Sequence, residues 1–153
     1  MRRPRRSAPV RRAGPNAIAL DLPRWVTDLV AEAAERVRGI AERPGTAGFE
    51  RIFSQVDESA AVDDPLTVLA RQTMLDELAA TVAESVDRHV ISDAQAEAWL
   101  QILSLFLAER AAELGIRREE ERAALAPEVQ EALDVVYALQ LALIEALEAP
   151  PVR

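Results

Sequence analysis

Few side chains in this chain have chemistry to offer. Six arginines, Arg2, Arg3, Arg5, Arg6, Arg11 and Arg12, fall within residues 1–16, and no acid accompanies them. Guanidinium groups at that density can grip phosphates, and six neutralised phosphates would give a log–log salt slope of about −5. No aromatic residue interleaves them to stack on bases, so a solvated tail folded back on an acidic body is the other reading. A second cluster, Asp57, Glu58, Asp63 and Asp64, can attract a cation but lacks the glycine and glutamate spacing of a calcium loop. His89 is the only histidine. Next to Arg88 it suits a helix end facing the negative pole of the dipole better than a metal ion, and nothing orders it as a base for a serine. The absence of cysteine excludes disulfides, thiolate nucleophiles and thiolate metal sites. No P-loop, GxGxxG, HExxH or Glu-x-x-His pair occurs. The expectation is therefore no catalytic residue, no metal site and no cofactor.

The elements that position these groups read as helices. At the centre stands Ser92–Gly115, with Ser92 as N-cap, Gln95 completing a capping box, Asp93 at the positive dipole end and Gly115 at the left-handed stop. Between them Ala96, Trp99, Leu100, Leu103, Phe106, Leu107, Ala111 and Leu114 recur at helical spacing, widened by Ile102 and Leu105. A helix apolar over most of its circumference belongs inside a bundle. The charges Glu97, Glu109, Arg110 and Glu113 leave no uncharged run long enough to cross a membrane.

The remaining helices follow from similar signals. Asp21 is the expected cap of a helix to about Glu42, with Trp25, Val26, Leu29, Val30, Ala33, Val37 and Ile40 inward and Glu32–Arg36 as a surface pair. Residues 46–56 read as a short helix anchored by Phe49, Ile52 and Phe53. Asp64-Pro65 starts a long helix to about His89, with Leu66, Leu69, Thr73, Leu75, Leu78, Val82 and Val86 inward and Met74 at its margin. Residues 116–126 form a charged, partly helical connector, and Pro127 opens a last helix to about Glu148. Its expected inner side carries Val129, Leu133, Val136, Tyr137, Gln140, Leu143, Ile144 and Leu147, with Leu139 and Leu141 on other sides. A helix–turn–helix at Val90–Ser92 is geometrically open, but Asp93 and Glu97 would bring negative charge to DNA.

Composition agrees with an all-α class: a compact bundle of four long helices plus one short helix. The 153 residues are half hydrophobic with only 4% aromatic. A chain of this size can bury roughly 68–70% of its unfolded surface, enough for a core without staples. The expected organisation is a disordered basic arm over 1–16, a single helical domain over 17–149 and a tail over 150–153. The 18 basic residues are all Arg, and after the arm's six only 12 face 26 acids, which makes the body strongly acidic. The arginines are followed by no apolar run of the kind an export signal needs, so a soluble cytoplasmic protein is expected.

The order of landmarks resembles a family of small actinobacterial proteins, formerly a domain family of unknown function and now associated with oxidative-stress regulation. A segment containing Phe49, Arg51 and Ile52 precedes an acidic loop at residues 57–64. Ala98-Trp99-Leu100 follows in a helix that ends at Leu114-Gly115, and Tyr137 with Leu139-Gln140 lies in the last helix. The similarity spans roughly residues 17–148. Three positions depart from it. A polar Asn-Asp-Leu-Arg run is replaced by Ser104-Leu105-Phe106-Leu107, an aromatic of the last helix by Val135, and no cysteine exists to serve as a thiol switch. The resemblance implies a helical fold and regulation of transcription through a partner such as a sigma factor. It does not carry over direct peroxide sensing, for which Met74 is a weak substitute.

Together these readings give a non-enzymatic α-helical regulator that binds a protein partner. Two alternatives stay open: a nucleic-acid-binding protein acting through the arginine arm, and a structural homodimer using the apolar excess of the central and last helices.

Overall fold

The computed structural model describes residues 8–54 and 65–151. The acidic cluster of Asp57, Glu58, Asp63 and Asp64 lies outside them. Five α-helices, α1 (Arg24–Arg38), α2 (Ala47–Ser54), α3 (Pro65–Ser85), α4 (Asp93–Glu113) and α5 (Pro127–Glu148), make the expected all-α bundle of four long helices and one short. Short 3-10 segments at Gly39–Glu42 and Glu119–Ala124 extend α1 and fill the charged connector.

The central helix forms as its sequence dictates. Ser92 Oγ accepts from the Gln95 N–H, and the Gln95 side chain accepts from the Ser92 N–H. Gly115, at φ +70°, closes a Schellman motif in which the Gly115 and Ile116 N–H groups donate to Ala112 and Ala111. Trp99, Ile102 and Leu103 are fully buried and Phe106 nearly so, with α1, α2, α3 and α5 packed around them. The Trp99 indole donates to Ser85 Oγ at 2.8 Å, which satisfies the polar tip of the largest core side chain.

A small antiparallel sheet covers one end. Its strands β1 (Val10–Gly14), β2 (Ala17–Leu20) and β3 (Val90–Ile91) lie in that order. Residues 8–16 are therefore not the expected disordered arm: Val10, Ile18 and Leu20 are buried, and that apolar surface holds the hairpin against the helices. Pairing of Val90–Ile91 with β2 also ends α3 at Ser85 instead of near His89, and it replaces the turn of a helix–turn–helix with a strand. Helix α1 begins after Pro23, not at an Asp21 cap, because a residue before proline is pushed into the extended region and Asp21 continues the strand, its N–H donating to Pro9.

One ionic cluster fixes α1, α2 and α4 together. Arg36 donates from Nε and from a terminal nitrogen to the two oxygens of Glu109, at 2.6 and 2.8 Å. It thus leaves the expected surface pair with Glu32. Glu109 is 1% exposed, whereas the Arg36 side chain keeps about a third of its surface in water (32%). The hydrogen bonds to Glu109, more than the nearby charges, hold the Arg36 guanidinium above its ordinary value. A raised folded-state value means its contribution is present below that ordinary value and fades only in stronger alkali. Helix α2 joins the same cluster through the Gly48 N–H, which donates to Glu113 at 3.0 Å. A Cβ at Gly48 would stand 2.6 Å from Glu109 Cγ, so only glycine lets α2 approach this closely.

These contacts predict a coupled response. Gly48→Ala destabilises by about 1–3 kcal/mol through overpacking. Glu109→Ala costs about 3 kcal/mol, the lower end of the range for a broken buried pair because Arg36 can turn to water. In the Glu109→Ala background the Gly48→Ala penalty falls by at least half, measured by urea unfolding in a double-mutant cycle. Simple additivity would disprove the shared contact.

Candidate functional site: a groove between the first and last helices

The arginines of the N-terminal region do not form an anion site within the described residues. Arg2, Arg3, Arg5 and Arg6 lie outside those residues, and Arg11 points to solvent from β1. Arg12 is withdrawn from any phosphate. Its side chain is 6% exposed, pairs with Asp93 at 2.7 Å and donates to the carbonyls of Ala146 (3.1 Å) and Leu147 (2.9 Å). It thereby caps the C-terminal end of α5 and compensates the first-turn acid of α4, the placement a cation favours at a helix C-terminus. His89 is exposed in the turn before β3, and its carbonyl accepts from the Leu20 N–H. Among the described residues no group of three His, Cys, Asp or Glu side chains is placed to hold a metal ion.

The positions singled out by resemblance divide between core and surface. Phe49, Ile52, Ala98 and Trp99 are buried, Leu100 is half-buried and Arg51 faces water. Tyr137 is exposed under the Arg122 guanidinium, which also pairs with Asp134, and Gln140 donates to Ser104 across the α4–α5 seam at 2.8 Å. These residues are not brought together as one site.

A concave surface does exist where several inward expectations fail. Trp25, expected in the core, is 56% exposed. Helices α1 and α5 both pack on α4 but barely on each other, while α5 leans on β1. The two flanking helices leave a slot between them, with Phe106 and Arg110 of α4 at its narrow end. On α1 its wall is Trp25, Leu29, Glu32 and Arg36, and on α5 it is Glu128, Ala132, Val135, Leu139 and Ala142. Each set follows i, i+4, i+7 spacing, so each is a single helical stripe. The wider end is a cavity of about 730 Å³ bounded by Pro9, Val10, Leu22, Trp25, Val135 and Ala142. Shallower depressions of about 430 and 320 Å³ continue it past Leu29 and Glu32 to Phe106 and Arg110. The floor is apolar. The margins carry Asp21, Asp28, Glu32, Glu128 and Glu131, all exposed. Apart from a weak Asp28–Arg24 contact at 4.0 Å, none of these five makes an ion pair among the described residues.

Two further surfaces correct the sequence reading. Leu66, Leu69 and Met74 of α3 are exposed, as are Tyr137, Leu141 and Ile144 of α5, while Leu139 is buried. Both helices are apolar on more than one side, so spacing alone leaves open which side meets the core. The buried Glu109 also gave no sequence signal, since its partner lies 73 positions away. For the groove, the signal was the Trp25–Leu29 stripe; its direction was not.

Exposure of Trp25 beside a fully buried Trp99 predicts two separable emissions. Acrylamide quenches a red-shifted component that disappears in Trp25→Phe, leaving blue, poorly quenched light from Trp99; a single blue band in the unaltered protein would contradict the open groove. No family model, curated protein or solved structure matches this chain.

Proposed function

We propose that this protein is a non-enzymatic regulator that acts in the cytoplasm by holding a protein partner in the α1–α5 groove. The observation that carries the reading is an apolar slot walled by an exposed tryptophan and edged by exposed carboxylates. Interface anchors are typically large aromatic side chains in such concave apolar settings, with a polar rim around them. Neither the groove nor His89 assembles a nucleophile, a base and an oxyanion donor. The landmarks resembling the actinobacterial oxidative-stress regulators support transcription machinery, with a sigma factor as one example, as the setting. The nucleic-acid reading loses Arg12 to the α5 cap and rests on Arg11 and the four arginines before it.

Affinity capture from the native host tests the proposal. The unaltered protein recovers a regulatory partner, and Trp25→Ala or Ala138→Glu lowers its yield at least tenfold without altering the fold. Recovery of metabolic enzymes alone, or capture insensitive to both substitutions, counts against it. A second reading, self-association, draws on a separate stripe, Tyr137, Leu141 and Ile144, on the outer side of α5. Light scattering at micromolar concentration gives twice the chain mass if this stripe pairs two copies, and a monomer eliminates it.

A further inference from the structure

Within the reading of the groove as the partner site, its shape and charge specify what kind of partner fits. The two walls are helical stripes on α1 and α5, with Phe106 of α4 beneath their narrow end, so a third helix laid along them meets both through one apolar face. The lane follows α1 from Trp25 to Arg36, twelve residues and eleven helical steps, or about 16 Å. Three to four helical turns occupy that length. The apolar floor calls for anchors at i, i+3 or i+4, and i+7 on one face of the incoming helix, the pattern by which amphipathic helices enter hydrophobic grooves. The margins decide its charge. Asp21, Asp28 and Glu32 stand on the α1 side and Glu128 and Glu131 on the α5 side. Arg110 is the opposing charge at the narrow end, because Arg36 is already held by Glu109. A helix with acidic flanks would meet repulsion from both walls; one with basic flanks meets carboxylates left and right of its apolar face.

We infer that the α1–α5 groove binds a basic amphipathic α-helix of three to four turns, its apolar face on Trp25, Leu29, Val135 and Leu139 and its cationic flanks against Glu32, Glu128 and Glu131. The helix completes the bundle as a fifth long rod. Its affinity falls with salt, since the flanking attractions lie at solvent-exposed margins.

Three labelled 14-residue helices with internal lactam bridges serve as probes against the full chain: one with an apolar face and Arg/Lys flanks, one with the same face and Glu flanks, and one with the basic composition scrambled to spread its apolar residues. Fluorescence anisotropy shows the basic amphipathic helix binding at least tenfold tighter than either control, with a blue shift of Trp25 emission. The double reversal Glu32→Arg/Glu131→Arg, at exposed margin positions, weakens the basic helix at least tenfold and strengthens the acidic one. Equal binding of all three, absence of binding, or an unchanged Trp25 band overturns the inference. So does a Trp25 band that is blue in the protein alone and reverts on dilution or on removal of residues 1–7, which assigns the lane to a second copy or to the chain's own arm. If the probes fail while host capture still depends on Trp25, the groove remains the partner site and only the helix class is lost; if capture ignores Trp25, the site itself is wrong.

Discussion

The bundle depends on a carboxylate it can scarcely afford to leave alone. Glu109 sits on the innermost helix, almost without contact with water. A lone buried charge would cost several kcal/mol, so the fold must deliver a cation to it. Arg36 answers from α1 with both donors of its fork, and its partial exposure leaves the guanidinium some hydration. That requirement fixes the rotation of α1 against α4. It also fixes α2, whose glycine must lie where any larger residue would strike the same side chain. Three helices are thus set by one pair of hydrogen bonds, and the apolar core of Val30, Val37, Phe53, Trp99 and Leu103 fills around that arrangement.

Setting α1 in this way has an effect on the far flank. With Val26, Val30, Ala33 and Val37 turned to the core and Arg36 to Glu109, the stripe through Trp25 and Leu29 faces α5. Helix α5 spends its own contacts on α4 and β1. The open lane between them follows from how each helix is held, and it collects the two conspicuous surplus features of the sequence, a strongly acidic body and more aliphatic surface than four rods can hide from water.

Local signals were legible wherever cause and effect lie within one or two turns. Ser92 with Gln95, Pro65 at a helix start, Gly115 at a left-handed stop, and the anchors Phe49, Ile52 and Phe53 all stand as the sequence reads. The interior of α4 was legible because a helix apolar nearly all round has only one place to go. What spacing does not encode is direction when more than one neighbour is possible. Trp25 and Val26 are adjacent, and either can lead a face; tertiary packing chose Val26. Tyr137 and Ile144 lost to Leu139 for the same reason. The hairpin was hidden because arginines at Arg11 and Arg12 resemble a solvated tail, although Val10, Ile18 and Leu20 supply a short alternating pattern that two partner strands and α5 convert into a sheet. Of the groove, the acidity and the apolar surplus were visible and their meeting place was not.

Arg12 draws these long-range relations to a point. Its guanidinium joins the second residue layer of the hairpin to the last turn of α5, across separations of 134 and 135 positions, and to the first turn of α4 on the way. Contacts this distant along the chain close late, because the loop between them must be ordered first. The same guanidinium joins the end of the last helix, the start of the sheet and the first turn of α4 as one mechanical unit, so a load on any of the three reaches the other two.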